Sequence, residues 1–291
     1  MKIAAFLLQG APTVGLVNTD NQTVIPFVLP AAVAAMGALP IVEVLARGDA
    51  LPAQLPAVPL ADVQLTAPIP RPRRNIFCVG KNYYAHAQEF AKSGFDSSAK
   101  AGGDIPAVPI IFTKVPESVV GPTDFIDMPV GVSETIDYEA ELAVVIGKGG
   151  KGIKRADALK HVWGYTIVND VTARDWQNRH MQWHMGKSFD TFCPMGPWLV
   201  SADECDGTNT AVRCFVNGEL RQNARTTELI FNIPTLIETL CAGITLYPGD
   251  IIATGTPVGV GIGFSPPKYL KAGDVVRVEI DGIGHIENPV R

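Results

Sequence analysis

Apolar and polar positions change rhythm several times along the chain. Residues 2–8 and 14–17 are short apolar runs that read as strands, and the Ala-rich stretch near 31–38 and the run 41–47 read as helices. Residues 25–42 carry no charge, but Pro26, Pro30, Gly37 and Pro40 interrupt them, and Asp20 precedes them where a leader would have basic residues. Neither a membrane span nor a signal peptide fits that pattern, whereas a short buried helix opened by Pro30 does. Pro68, Pro70 and Pro72 then alternate with Ile69, Arg71, Arg73 and Arg74. Proline at this density disfavours helix and removes strand donors. A boundary is therefore expected here, between a small N-terminal domain, 1–68, and a larger domain, 69–291.

Beyond the boundary, 76–79 is an apolar strand ending at Gly80, and 83–92 has the spacing of a helix. Residues 93–108 are small and polar, a long stretch without a period of its own, as in a functional loop or lid. Residues 110–114, 135–146 and 165–170 read as strands, with a short helix at 156–161. The last third is strand-rich. Runs 212–216 and 219–221 flank Asn217-Gly218, a strong two-residue hairpin signal. Asn232 is placed to cap a helix with Pro234 in its first turn, and 251–254 and 275–280 complete the strands. The pattern predicts an α+β protein, mainly β.

Composition narrows the function. The 291 residues are 47% hydrophobic, with a formal charge of -5, which gives no basic footprint for nucleic acid and no basic amphipathic face for a membrane. The five Cys, at 78, 193, 205, 214 and 241, form no Cys-x-x-Cys pair and fit reduced buried thiols, so a cytoplasmic protein is expected.

The chemistry concentrates in a few places. In Asp137-Tyr-Glu-Ala-Glu, residues two apart in a strand share a face, so Glu139 and Glu141 would point together, followed by Ala143 and Val145. Two stacked carboxylates repel, and a divalent cation relieves that repulsion. Asp170, at the end of the next apolar run, completes an all-oxygen set suited to Mg²⁺ or Mn²⁺. Asp170 also has the position of a helix N-cap. His86 and Glu89 are helix neighbours, and a carboxylate beside an imidazole makes a general base. Lys187 could hold a substrate carboxylate or steady an enolate. The segment Thr254-Gly-Thr-Pro-Val-Gly259 lacks the Gly-Lys-Ser/Thr ending of a phosphate loop. It fits better as a tight loop whose Thr256 hydroxyl and N–H groups hold a carboxylate. His161, His180 and His184 are expected outside the site, and no Gly-x-Ser-x-Gly elbow exists.

In order along the chain, Gly80-x-Asn82-Tyr83-x-x-His86-x-x-Glu89, Glu139-x-Glu141, Asp170-x-Thr-Ala-Arg174-Asp-x-Gln177, Lys187-Ser-Phe-Asp190, Val216-Asn-Gly-Glu219 and Thr254-Gly-Thr-Pro257-x-Gly259 together resemble the fumarylacetoacetate hydrolase family over 75–291. The resemblance implies a mixed β-sandwich roll and a homodimer or dimer of dimers. It implies Mg²⁺ or Mn²⁺ on Glu139, Glu141 and Asp170, a water-activating dyad of His86 and Glu89, and a substrate site lined by Lys187, Arg174, Gln177 and Thr256. The expected reaction is C–C hydrolysis of a 2,4-dioxo acid through a metal-stabilised enolate. Decarboxylation of oxaloacetate, isomerisation or hydration of a 2-oxo acid, and a ureidoglycolate-type lyase reaction are the alternatives.

Overall fold

The computed structural model describes residues 1–92 and 105–291. Of the loop read as a lid, 93–108, residues 93–104 lie outside the described residues. None of the described helices is long and apolar enough to cross a membrane.

One large mixed sheet runs through the described residues, with strands in the order Val58–Pro59, Thr23–Pro26, Ala11–Asn18, Lys2–Leu8, Cys193–Ser201, Val162–Asn169, Ala140–Ile146, Ile251–Ala253, Ile76–Gly80 and Ile110–Lys114. The N-terminal strands join it where Lys2–Leu8 pairs antiparallel with Cys193–Ser201. A second, antiparallel sheet has the order Glu219–Arg225, Ala211–Val216, Val275–Ile280, Gly284–Pro289. Its hairpin turns at Asn217 and Gly218, both with positive φ (52° and 79°), as the Asn-Gly pair requires.

The strand Ala140–Ile146 is buried on both faces, which is why its sequence is an unbroken apolar run after Glu141. Leu142, Val144 and Ile146 pack into one core with Val212, Val216, Val276 and Val278 of the second sheet. Ala143 and Val145 face a second core that contains Ile3, Leu39, Ile41 and Leu199. The N-terminal segment therefore covers the sheet face to which Glu141 belongs by strand parity.

Two local readings change. The strand expected over 135–146 is interrupted: Ile136–Asp137 pairs with Thr172–Ala173, and the long strand starts only at Ala140. The break comes where Asp137 accepts the backbone N–H groups of Tyr138, Gly261 and Ile262. The helix after Asp170 starts at Arg174 with Ala173 at its N-cap, so Asp170 caps nothing. Asn232 caps as expected, its side chain accepting from Thr235 N–H at 3.1 Å.

Candidate active site

The site forms where strand ends converge. Ala140 pairs with Asn169, so antiparallel neighbours set Asp170 beside Glu139, and Asp170 N–H donates to the Glu139 carbonyl at 2.8 Å. Ala253 pairs with Ala143, so the chain leaving that strand places Gly255 at Glu141. Gly255 N–H donates to Glu141 Oε2 at 2.8 Å. Ile76–Gly80 runs parallel to Ile251–Ala253 and leads into the helix Tyr84–Lys92 that carries His86 and Glu89.

Carboxylate oxygens of Glu139, Glu141 and Asp170 lie within 4.8 Å of one another, all three residues buried. Lys187 Nζ lies between two of them, 2.7 Å from Glu139 Oε2 and 2.7 Å from Asp170 Oδ2. Arg174 Nη1 is 2.7 Å from Glu139 Oε1, and Arg174 Nε is 2.9 Å from Asp137 Oδ2. Burial alone would raise the Glu139 carboxyl, but Lys187 and Arg174 outweigh it and hold the group at about 2. Burial opposes the charge on Lys187 as well, and Asp170 and Glu139 overcome it, keeping the ammonium above its usual range. Glu141 differs. Burial comes first and the charges of Asp170 and Glu139 second in pushing its carboxyl well above the ordinary range, and among the described residues the Gly255 N–H alone is bonded to it.

This donor set fits a divalent cation. It is all oxygen, compact and dry, and one of its members is a buried acid that no Lys or Arg pairs with among the described residues. Bringing a cation here would relieve the mutual repulsion that holds Glu141 back from ionising.

Lys187 reaches the acids because two short helices touch. A Cβ on Gly186 would sit 2.4 Å from Gln177 N and 2.6 Å from the Ala173 carbonyl oxygen, so only glycine lets His184–Lys187 close on Arg174–Arg179. Arg174, Gln177 and Lys187 then line one narrow pocket with His86, Glu139 and Thr256, walled by Lys81, Phe90, Phe112 and Trp183. His86 Nδ1 is 3.1 Å from Glu89 Oε2, and Gly259 N–H donates to Glu89 Oε1 at 3.0 Å. Asn82 anchors the start of that helix, its amide donating to the Thr254 and Phe231 carbonyls and accepting from Phe231 N–H.

The loop after Ala253 behaves differently from its sequence reading. Its N–H groups at Gly255, Gly259, Gly261 and Ile262 go to the protein's own carboxylates, those of Glu141, Glu89 and Asp137. Thr256 remains as the pocket-lining hydroxyl. His161 Nδ1 meets the Lys148 carbonyl, His184 Nδ1 the Thr113 carbonyl, and His180 stacks on Trp176. None of the three reaches the acidic cluster.

Three residues of the site went unread in the sequence. Lys114, wholly buried, donates to Asp170 Oδ1 at 2.7 Å, to the Val171 carbonyl at 3.0 Å and to the Lys187 carbonyl. In the sequence it is the last residue of an apolar strand, and nothing marks it as buried. Asp137 orients Arg174, and Gln222 binds Thr256 at 2.8 Å from a different sheet. Asp137 stands two residues before Glu139, a parity that could have drawn notice. No local signal marks Gln222.

Comparison with known proteins agrees with this geometry. The family model for the fumarylacetoacetate (FAA) hydrolase C-terminal region matches residues 75–291. The chain belongs to the fumarylacetoacetate hydrolase family. In this family the reading of a mainly β, α+β fold holds, and the likeness extends through the N-terminal segment. A fumarylacetoacetate hydrolase from psychrophilic Exiguobacterium antarcticum superposes with a TM-score of 0.83 at 40% identity, covering 100% of this chain and 99% of that one. A 5-carboxymethyl-2-hydroxymuconate delta-isomerase from Mycobacterium smegmatis gives 0.78 at 33% identity, covering 100% and 99%. In sequence, the oxaloacetate tautomerase YisK of Bacillus subtilis (strain 168) is 51% identical over 232 residues, 79% of this chain and 74% of that protein. Similar proteins are thus named for tautomerisation and isomerisation as well as for hydrolysis.

Proposed function

We propose that this chain is a divalent-metal-dependent tautomerase that interconverts the keto and enol forms of a dicarboxylic 2-oxo acid of the oxaloacetate type. The observation that carries the reading is that one paired base, His86, shares a narrow pocket with the cations Lys187 and Arg174 and with Glu139 of the acidic triad. Tautomerisation asks for that much: a group that takes a proton from carbon and returns it to oxygen, and positive charge where the enolate forms. The 51% identity to a protein named oxaloacetate tautomerase supports the choice of reaction.

Glu139, Glu141 and Asp170 would hold Mg²⁺ or Mn²⁺, which when bound supplies Lewis-acid polarisation of the substrate's carboxylate and 2-oxo oxygens. The chain's residues do the rest. Glu89, fixed by Gly259 N–H, holds the Nδ1 proton of His86 and leaves Nε2 as the basic nitrogen. Nε2 takes a proton from C3 of the keto acid. The C–H electrons become the C2–C3 double bond and the carbonyl pair moves to the C2 oxygen. Lys187 and Arg174 meet the negative charge, and His86 returns its proton to that oxygen to give the enol.

The rival reaction within the same site is C–C hydrolysis of an acylpyruvate, which the His86–Glu89 pair favours because the same base can activate water. Following enol oxaloacetate by its ultraviolet absorbance, alongside pyruvate release from acetylpyruvate, separates the two. The expected result is fast enol loss with Mg²⁺ or Mn²⁺, slowed roughly 10²- to 10⁴-fold by His86→Gln. A wild-type protein that leaves the enol at its buffer rate while releasing pyruvate from acetylpyruvate would overturn the proposal in favour of hydrolysis.

A further inference from the structure

Gln222 lies in the strand Glu219–Arg225 of the second sheet, wholly buried, and is bonded at both ends of its amide. Ala140 N–H donates to one end at 3.0 Å, and the Pro257 carbonyl takes a hydrogen bond from the other at 2.7 Å. A backbone N–H can only donate and a carbonyl can only accept, so these neighbours assign the oxygen and the nitrogen of the amide without ambiguity. The nitrogen end is also 2.8 Å from Thr256 Oγ1. An amide nitrogen has no lone pair to offer, so Thr256 Oγ1 must be the acceptor in that contact. Both Nε2 hydrogens are then spent, one on Thr256 and one on Pro257.

The consequence falls on the Thr256 hydroxyl proton. It cannot turn back to Gln222, and among the described residues Thr256 Oγ1 has no bonded acceptor for it. Thr256 is 2% exposed and lines the pocket that holds His86, Arg174 and Lys187. A buried O–H without an acceptor is costly, and here it belongs to the wall of the substrate pocket.

We propose that Gln222 is a positioning residue that makes the Thr256 hydroxyl an obligate hydrogen-bond donor, so that the pocket requires an acceptor oxygen at that point. This inference rests on the reading of the pocket as an oxo acid site and sharpens it. The matching ligand group is a carboxylate or 2-oxo oxygen, and an ammonium there would meet a donor facing a donor. Polarity is thus imposed from the second sheet through a residue that touches no substrate itself.

The test is oxalate binding to the full-length protein in Mn²⁺, measured by calorimetry, with melting temperatures taken in parallel. Gln222→Met and Thr256→Val should each weaken oxalate about tenfold, while Thr256→Ser, which keeps the donor, stays within about twofold of wild type. Combining Gln222→Met with Thr256→Val should be no worse than Thr256→Val alone, because both remove one device. Should Gln222→Met fail to fold, Gln222→Glu keeps the shape and the Ala140 contact but cannot supply both N–H donors, and it should show the same tenfold loss. Losses that multiply to about a hundredfold in the double variant would overturn the proposal, as would wild-type affinity in Thr256→Val. Wild-type turnover of oxaloacetate is read separately. An inactive enzyme with coupled binding losses removes the tautomerase reading and keeps this one, additive losses in an active enzyme do the reverse, and a wild type that binds no oxalate removes both.

Discussion

Lys114 Nζ sits 2.7 Å from Asp170 Oδ1, and both side chains are wholly buried. With Lys187 on Asp170 Oδ2, the carboxylate is gripped by an ammonium at each oxygen. Lys114 also holds the Lys187 carbonyl, so one residue sets both the acid and the backbone of the lysine that faces it.

Lys114→Met should therefore weaken Mn²⁺ binding about 10- to 100-fold, the usual effect of removing a group that orients a metal-binding side chain. It should also destabilise the fold by about 1–3 kcal/mol, since Asp170 keeps Lys187 but its Oδ1 and the Val171 and Lys187 carbonyls lose a buried donor. Calorimetric titration with Mn²⁺ and chemical denaturation check the two. Tighter Mn²⁺ binding in the variant would show that Lys114 acts only as a competing positive charge.

Dialysis against EDTA should abolish turnover, with Mg²⁺ or Mn²⁺ restoring it in wild type but not in Glu139→Gln. In the metal-free protein, Glu139 contributes a pH-dependent part of stability. Its carboxyl is held at about 2, below the ordinary 4.5, so the contribution is present above 4.5 and fades as pH falls toward 2. The stability gap between wild type and Glu139→Gln, measured by urea denaturation, should narrow over that window.

Gly263 closes on the base. A Cβ there would sit 2.0 Å from Glu89 Oε1, the end of a side chain that can move. Gly263→Ala should therefore fold normally, displace Glu89 and lower kcat roughly 10- to 100-fold by loosening His86, within the range general-base catalysis contributes. An unchanged pH–rate profile and kcat would show that Glu89 has no part in setting the base.

All five cysteines are free and buried. Burial pushes the Cys193 thiol up to about 12 and the Cys205 thiol up to about 11, and raises Cys78 well above its usual range. The thiolate is the reactive form, so at pH 8 the native protein should react only slowly with a disulfide reagent, while the denatured chain releases five thiols. A rapid native phase at pH 8 would mean that a thiol is reachable in the folded protein.

Much of the site was legible because it is written in short-range order. The two-residue spacing of Glu139 and Glu141, the three-residue spacing of His86 and Glu89, and Asp170 at the end of an apolar run are all readable locally, although Glu139 itself precedes the strand that carries Glu141. The hairpin at Asn217-Gly218 and the cap at Asn232 are equally local, and both appear as read. The break at Tyr138 was not legible, because it depends on Gly261 and Ile262, far along the chain, donating to Asp137.

The sequence by itself determined which acids lie together, that His86 pairs with Glu89, and which family the chain resembles, since each rests on periodicity or on motifs in order. The tertiary structure alone decided how those groups are polarised. Lys114 reaches Asp170 from an edge strand, Asp137 turns Arg174, and Gln222 crosses from the second sheet to Thr256. Each of these is a buried polar group that must find its partner at long range, and which partner it finds is settled only when the sheets pack and water is excluded.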